Sequence, residues 1–82
     1  MAEIVKVLGS EIALSTANTV GTASVVRVYN NTAGAVLVTR ANTGGTIGTL
    51  TMGVGEIVYL QKVSTDTLAA NIAVRAVSVS FN

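Results

Sequence analysis

Residues 62 to 71 read KVSTDTLAAN, a serine, two threonines and an aspartate set between two apolar runs. A hydroxyl beside an acid is the beginning of a hydrolytic site, so Ser64, Thr65, Asp66 and Thr67 are the side chains whose types and spacing could do chemistry. That chemistry needs a base next to the nucleophile and a further group to orient the base. The chain has no histidine and no cysteine, and Asp66 is the only acid after Glu56. The middle member of the constellation is therefore missing. The alternative use is local. Ser64, Thr65 or Asp66 can accept from backbone N–H groups two or three residues ahead and cap a single helical turn over TLAA, which Asn71 then ends. The stretch predicts a capped connection into the final strand, with no catalytic residue.

The remaining polar side chains give no second candidate. Glu3, Glu11 and Glu56 could pair for acid–base work, but nothing in their spacing brings two carboxylates to the separation that glycosidases use, and surface solvation is their default role. Four acids without histidine or cysteine make a poor donor set, so neither a metal site nor a cofactor site is expected. Lys6, Arg27, Arg40, Lys62 and Arg75 are scattered through a chain of net charge +1, which offers no basic stripe and excludes nucleic acid as an expected partner. Arg27, Arg40 and Arg75 fall inside strands, where pairing to an acid or to a neighbouring chain is one use and pointing outward is the commoner. The triplet NNT at 30 to 32 matches a glycosylation pattern but reads as a turn. Tyr29, Tyr59 and Phe81 are too few for a stacking platform. Neither Gly cluster leads into a Lys-Ser/Thr step, so the glycines are structural.

What must position these residues is a β framework. Eighty-two residues make one domain, 1–82, with one modest core. Valine, isoleucine and threonine dominate, proline is absent, and short apolar runs alternate with Gly/Asn/Thr clusters. The strands predicted are EIVKVL (3–8), SVVRVYN (24–30), AVLVTR (35–40), TIGTLTM (46–52), EIVYLQKV (56–63) and AVRAVSVSF (73–81), and SEIALS adds another. NNTAG, ANTGG and MGVG between them supply the positive φ of tight turns. The expectation is an all-β fold, a small antiparallel β-sandwich or barrel of six to eight strands. In the last strand Val77, Val79 and Phe81 share one face and Ser78 and Ser80 the other, which predicts one wet side. Val25 with Val26, and Ile57 through Leu60, put apolar groups on both faces, as a central strand or a subunit contact would. One echo, ANTVGT at 17–22 and ANTGGT at 41–46, is identical at five of six positions. It reads either as a duplicated turn feeding equivalent strands or, more commonly, as two similar turns in a turn-rich chain.

Charge is the scarcest ingredient. Only 11% of residues are charged, against about 25% in an ordinary soluble domain, and half are apolar. A surface so poor in charge is expected to meet protein. Glu3 and Lys6 interrupt the start, so no signal peptide is expected, and uncharged stretches such as IALSTANTVGTASVV are studded with Ser, Thr and Asn, so no membrane segment is expected either.

The stretches MAEIVKVLGS, VVRVYNNTAGAVLVTR and GEIVYLQKVSTDTLAANIAVRAVSVSFN, and Lys62 to Ala70 above all, resemble a group of small β-rich virion structural proteins of tailed bacteriophages, notably marine contractile-tailed ones. Those proteins often carry a proline before the Thr-Asp-Thr step, where this chain has Ser64 and no proline at all. The resemblance implies a particle component, not an enzyme, made in the host cytoplasm and resident in the virion. Together with the charge-poor, two-faced β reading it leads to one expectation: a capsid decoration or cement protein, a homotrimer, that binds the assembled head and stabilises it. Its expected partners are copies of itself and the major capsid protein or another virion protein. A neck, tail or fibre component is the alternative within the particle. A small sandwich holding a peptide or carbohydrate on the NNTAG and ANTGG loops is the alternative outside it.

Overall fold

Period-two alternation of β-branched residues produces strands wherever the sequence carries it. The computed structural model describes residues 5–80, so Glu3 and the start of the first expected strand, and Phe81 in the last, lie outside the described residues. The strands are β1 (Lys6–Val7), β2 (Ile12–Leu14), β3 (Val25–Tyr29), β4 (Val36–Asn42), β5 (Gly45–Met52), β6 (Ile57–Gln61), β7 (Thr67–Ala70) and β8 (Val74–Ser80). Every pairing is antiparallel. The larger sheet runs β1-β8-β3-β6, with β2 also paired to β8, and the smaller runs β5-β4-β7. The described residues form an all-β antiparallel sandwich of eight strands.

Inward-facing positions of both sheets meet in one core. Val26 and Val28 of β3, Val74 and Ala76 of β8 and Leu14 of β2 face Val36 and Val38 of β4, Met52 of β5, and Leu68 and Ala70 of β7. Full burial of a Val, Leu or Met side chain contributes about 1.5–3 kcal/mol. Val20 and Ala23 plug the core from the β2–β3 connection. That connection is strained: Val20, Gly21 and Thr22 are consecutively left-handed, with φ of 54°, 68° and 54°. A β-branched residue at such a φ is an outlier, held here by burial of the Val20 side chain.

The edges are treated unequally. β1 and β2 share the outer edge of β8. The outer edge of β7 is covered by the β2–β3 connection: Asn18 and Leu68 exchange both backbone hydrogen bonds at 2.9 Å, and Ala70 N–H donates to the Ser15 carbonyl at 2.9 Å. Strand neighbours therefore run in a curve from β6 through β3, β8, β2 and β7 to β4 and β5. Among the described residues the wall is left open along one seam, between β6 and β5.

Two expectations are corrected. TLAA is not a helical turn but strand β7, in register with β4 through Thr39↔Ala69 and Arg40↔Leu68. Leucine and alanine favour helix in isolation, but burying Leu68 and Ala70 against β4 overrides that preference. The face of the last strand expected to be wet is its inward one. Val77 and Val79 are buried on the outer face, while Ser78 and Ser80, half-buried, continue the inward phase of Val74 and Ala76. The echo resolves into two similar turns in unlike places. Asn18 Oδ1 accepts from Val20 N–H at 2.7 Å and Asn42 Oδ1 from Gly44 N–H at 2.8 Å. The first leads into the left-handed turn, whereas the second makes the tip of the β4–β5 hairpin.

Candidate functional site

β5 and β6 build the seam, and the turn at 53–56 that joins them fixes its lower end. β4 and β5 pair from Val36↔Met52 to Asn42↔Gly45, with one register shift between Arg40 and Ala41. Gly48 faces Arg40 and Thr46 faces Ala41, so Ile47 is the extra residue of a β-bulge. A bulge re-aims its side chain, and Ile47 lies on the seam. Between the sheets the seam opens as a cleft of about 230 Å³, lined by Val38, Leu50, Leu60, Leu68 and Ile47 with Arg40, Thr49 and Gln61 as its polar members. Outside the cleft the exposure continues. Ile47, Leu50, Val54, Ile57 and Tyr59 are half of the large apolar side chains found exposed among the described residues. Of the eight residues of β5 only Met52 is buried.

One end of the core beside this cleft is polar. Val36, Val38 and Arg40 share the inward phase of β4, and Val58, Leu60 and Lys62 share that of β6, so the alternation carries two cations into the layer between the sheets. Asp66 joins them. Arg40 donates to Asp66 Oδ2 from Nη2 at 2.7 Å and from Nε at 3.0 Å. The same oxygen accepts from Val63 N–H at 3.2 Å, and Asp66 N–H donates to the Val63 carbonyl at 2.9 Å, closing the turn 63–66 from both sides. Lys62 Nζ donates to the carbonyls of Ser64 and Val63 at 3.2 and 3.4 Å. The Arg40 hydrogen bonds hold the Asp66 carboxyl below the usual carboxylate range, with the Val63 amide and the nearby positive charges acting the same way against desolvation. Desolvation pushes Lys62 below its ordinary value, opposed by the attraction of Asp66. A carboxylate kept ionised by a guanidinium is a weak base, and Ser64 is exposed while Asp66 is buried. The structure brings Asp66 to Arg40 rather than to a hydroxyl, and the role is to seal the core.

The turn below the seam hangs on Asn30, which is fully buried. Its Nδ2 donates to the carbonyls of Gly34, Gly53 and Met52 at 2.9, 3.0 and 3.2 Å. Its Oδ1 accepts from the hydroxyl of Thr32 at 2.6 Å and from Thr32 N–H at 3.0 Å. Its backbone N–H donates to the Glu56 carbonyl and its carbonyl accepts from Gly55 N–H. Gly55, at φ 75°, and Glu56, whose carboxylate accepts from Gly53 N–H at 2.8 Å, complete the turn. NNT is thus a turn, as expected, and its asparagine is a structural hub that sequence reasoning missed. The signal was present: Asn30 continues the inward phase of Val26 and Val28.

The outer face of the larger sheet carries the other charges. Glu11 accepts from Arg75 Nε at 3.1 Å and lies 3.6 Å from Arg27, whose guanidinium stands 5.8 Å from the Tyr29 ring. These two arginines point outward and are paired. Arg27 and Glu11 border a shallow groove of about 310 Å³ floored by Val77 and Val79. Among the described residues no group of three or more acids could hold a metal ion, and no helix is long and apolar enough to cross a membrane. No protein-family description, curated protein or solved structure matches the chain.

Proposed function

We propose that the protein is a structural component of a bacteriophage particle, a capsid decoration or cement protein that associates with copies of itself, as a homotrimer, and binds the outside of the assembled head. One observation carries the reading. Large apolar side chains are exposed on several sides of a chain with nine charged residues: Val7 and Leu8 near β1, Leu37 and Ile72 beside β4 and β7, Val63 above the ion cluster, and the seam group. A surface of that kind fits a protein with more than one neighbour, a copy on one side and a shell on another. The sequence resemblance of Lys62 to Ala70 and its flanks to small virion proteins points the same way. A protein that binds only the assembled shell stabilises it by mass action.

The test is the heat resistance of phage heads with the protein and after it has been stripped away. Stripped heads are expected to open at lower temperature and to recover when the purified protein is added back. Equal melting in the two states would remove the role. Copy number per particle separates decoration, in multiples of the shell's symmetry, from a neck, tail or fibre position, where a ring or fibre sets a much smaller number.

A further inference from the structure

We propose that a second copy of this chain docks in the open seam, edge to edge with β5, so that main-chain hydrogen bonds continue the β7-β4-β5 sheet into the neighbouring molecule. The inference rests on the self-association of the assembly reading alone, not on the phage head or on three-fold closure, because two β5 edges that meet across a two-fold axis make a dimer.

Three features define the surface. Among the described residues β5 is an eight-residue edge strand with β4 on one side only, so it presents a row of outward N–H and C=O groups. The devices that usually blunt such an edge are nearly absent. Neither β5 nor β6 contains a charged residue or a proline, and the single bulge at Ile47 lies toward the hairpin tip, leaving Gly48 to Met52 in regular register with Arg40 to Val36. The cleft behind the edge is apolar, and Ile47, Leu50, Val54, Ile57 and Tyr59 spread that character along both lips.

Charge identifies the occupant. From Ala41 to Gly55 there are fifteen residues without a charge, and Glu56, the next, turns its carboxylate onto the Gly53 amide of its own turn. Arg40, the one charged side chain lining the cleft, is already paired to Asp66, so an acidic or basic partner finds little along this surface to pair with. The surface is complementary to another uncharged strand of β-branched and small residues, and β5 of a second copy is such a strand, with no like charges brought together when identical edges approach. A copy also matches the edge in length and twist.

Gly48 offers a clean test. A Cβ built there meets nothing within 4 Å, and its backbone is not in the left-handed region, so a side chain fits without disturbing the fold. Sedimentation velocity and native mass spectrometry would be run on the full chain at low and at tens of micromolar, for wild type, Gly48→Lys and Gly48→Ala. The expected result is a wild-type oligomer, unchanged by Gly48→Ala and weakened at least about tenfold by Gly48→Lys, which forces an ammonium into the seam. Circular dichroism showing that both variants keep the β spectrum removes misfolding as the explanation. A wild-type monomer at every concentration, or an oligomer as stable with lysine at 48 as without it, overturns the inference. A monomer that still protects phage heads would leave the decoration reading standing. A seam-dependent oligomer with no effect on heads would do the reverse. An extended foreign peptide that binds β5 of a monomer with matching sensitivity to Gly48→Lys would place another chain in the seam and also overturn it.

Discussion

At the scale of single residues, polar side chains at inward positions hold this small core in register. Asn30→Ala would remove one amide from three carbonyls and leave Met52 and Gly53 without it in a buried turn. The loss is expected to be about 2 kcal/mol, or roughly 10 °C in melting temperature for a domain of this size, read by thermal unfolding. The Asp66 cluster predicts a pH profile. Its folded pKa lies below the unfolded value of about 3.9, so its contribution is complete above that pH and is lost as pH falls through the lower folded value. Lys62 acts oppositely in alkali: with a folded pKa below the unfolded value of about 10.4, stability rises as pH climbs through that interval. Urea midpoints against pH should show both limbs, and Asp66→Asn should flatten the acid one. The left-handed turn gives a third expectation, with opposite signs at neighbouring positions. Thr22→Gly relieves a strained φ of 54° on an exposed residue and is expected to stabilise by about 0.5 kcal/mol. Val20→Gly, at the same φ, loses a buried side chain and is expected to cost about 2 kcal/mol.

At the scale of elements, the strands that alternate β-branched residues were legible, and those that do not were hidden. β3, β4, β5, β6 and β8 lie within a few residues of the stretches read from the sequence. β7 was not, because TLAA has the composition of a helical turn and its strand character exists only through its ladder with β4. Which face of β8 points inward was equally unreadable. Valines mark both faces of that strand, and inwardness is set by pairing Val26 with Ser78 and Val28 with Ala76. The candidate site was half legible. The two-faced pattern of Ile57 to Leu60 allowed a central strand or a subunit contact, and among the described residues β6 pairs with β3 alone, so it is not a central strand. The seam itself needs the whole topology. Glycine positions test the element account: Gly45→Ala, at φ 117°, should destabilise the β4–β5 hairpin by about 1 kcal/mol although its Cβ would meet no atom. Gly48→Ala, in a strand interior with room around it, should leave stability unchanged or raise it by about 0.5 kcal/mol. Urea midpoints of the two variants give the comparison directly.

At the scale of the whole molecule, the chain closes on itself. β1 and β2 pair with β8, 60 or more residues further along the chain, so the larger sheet is complete only when β8 is in place. Pairings of such long range predict refolding in milliseconds to seconds rather than microseconds. The chain contains no proline, so the isomerisation phase of about 10–100 s that slows many small proteins should be missing. Stopped-flow refolding, with a second unfolding pulse after increasing delays, would show one amplitude independent of the delay. The same closure sets how the molecule responds to load. Lys6 stands opposite Ser80 in an antiparallel pair, so tension applied between those two residues pulls one hydrogen bond at a time, as a zipper opens, instead of shearing a row of bonds together. The fold is mechanically soft when pulled by these two points, and a load that it could resist would have to enter through its faces and its seam.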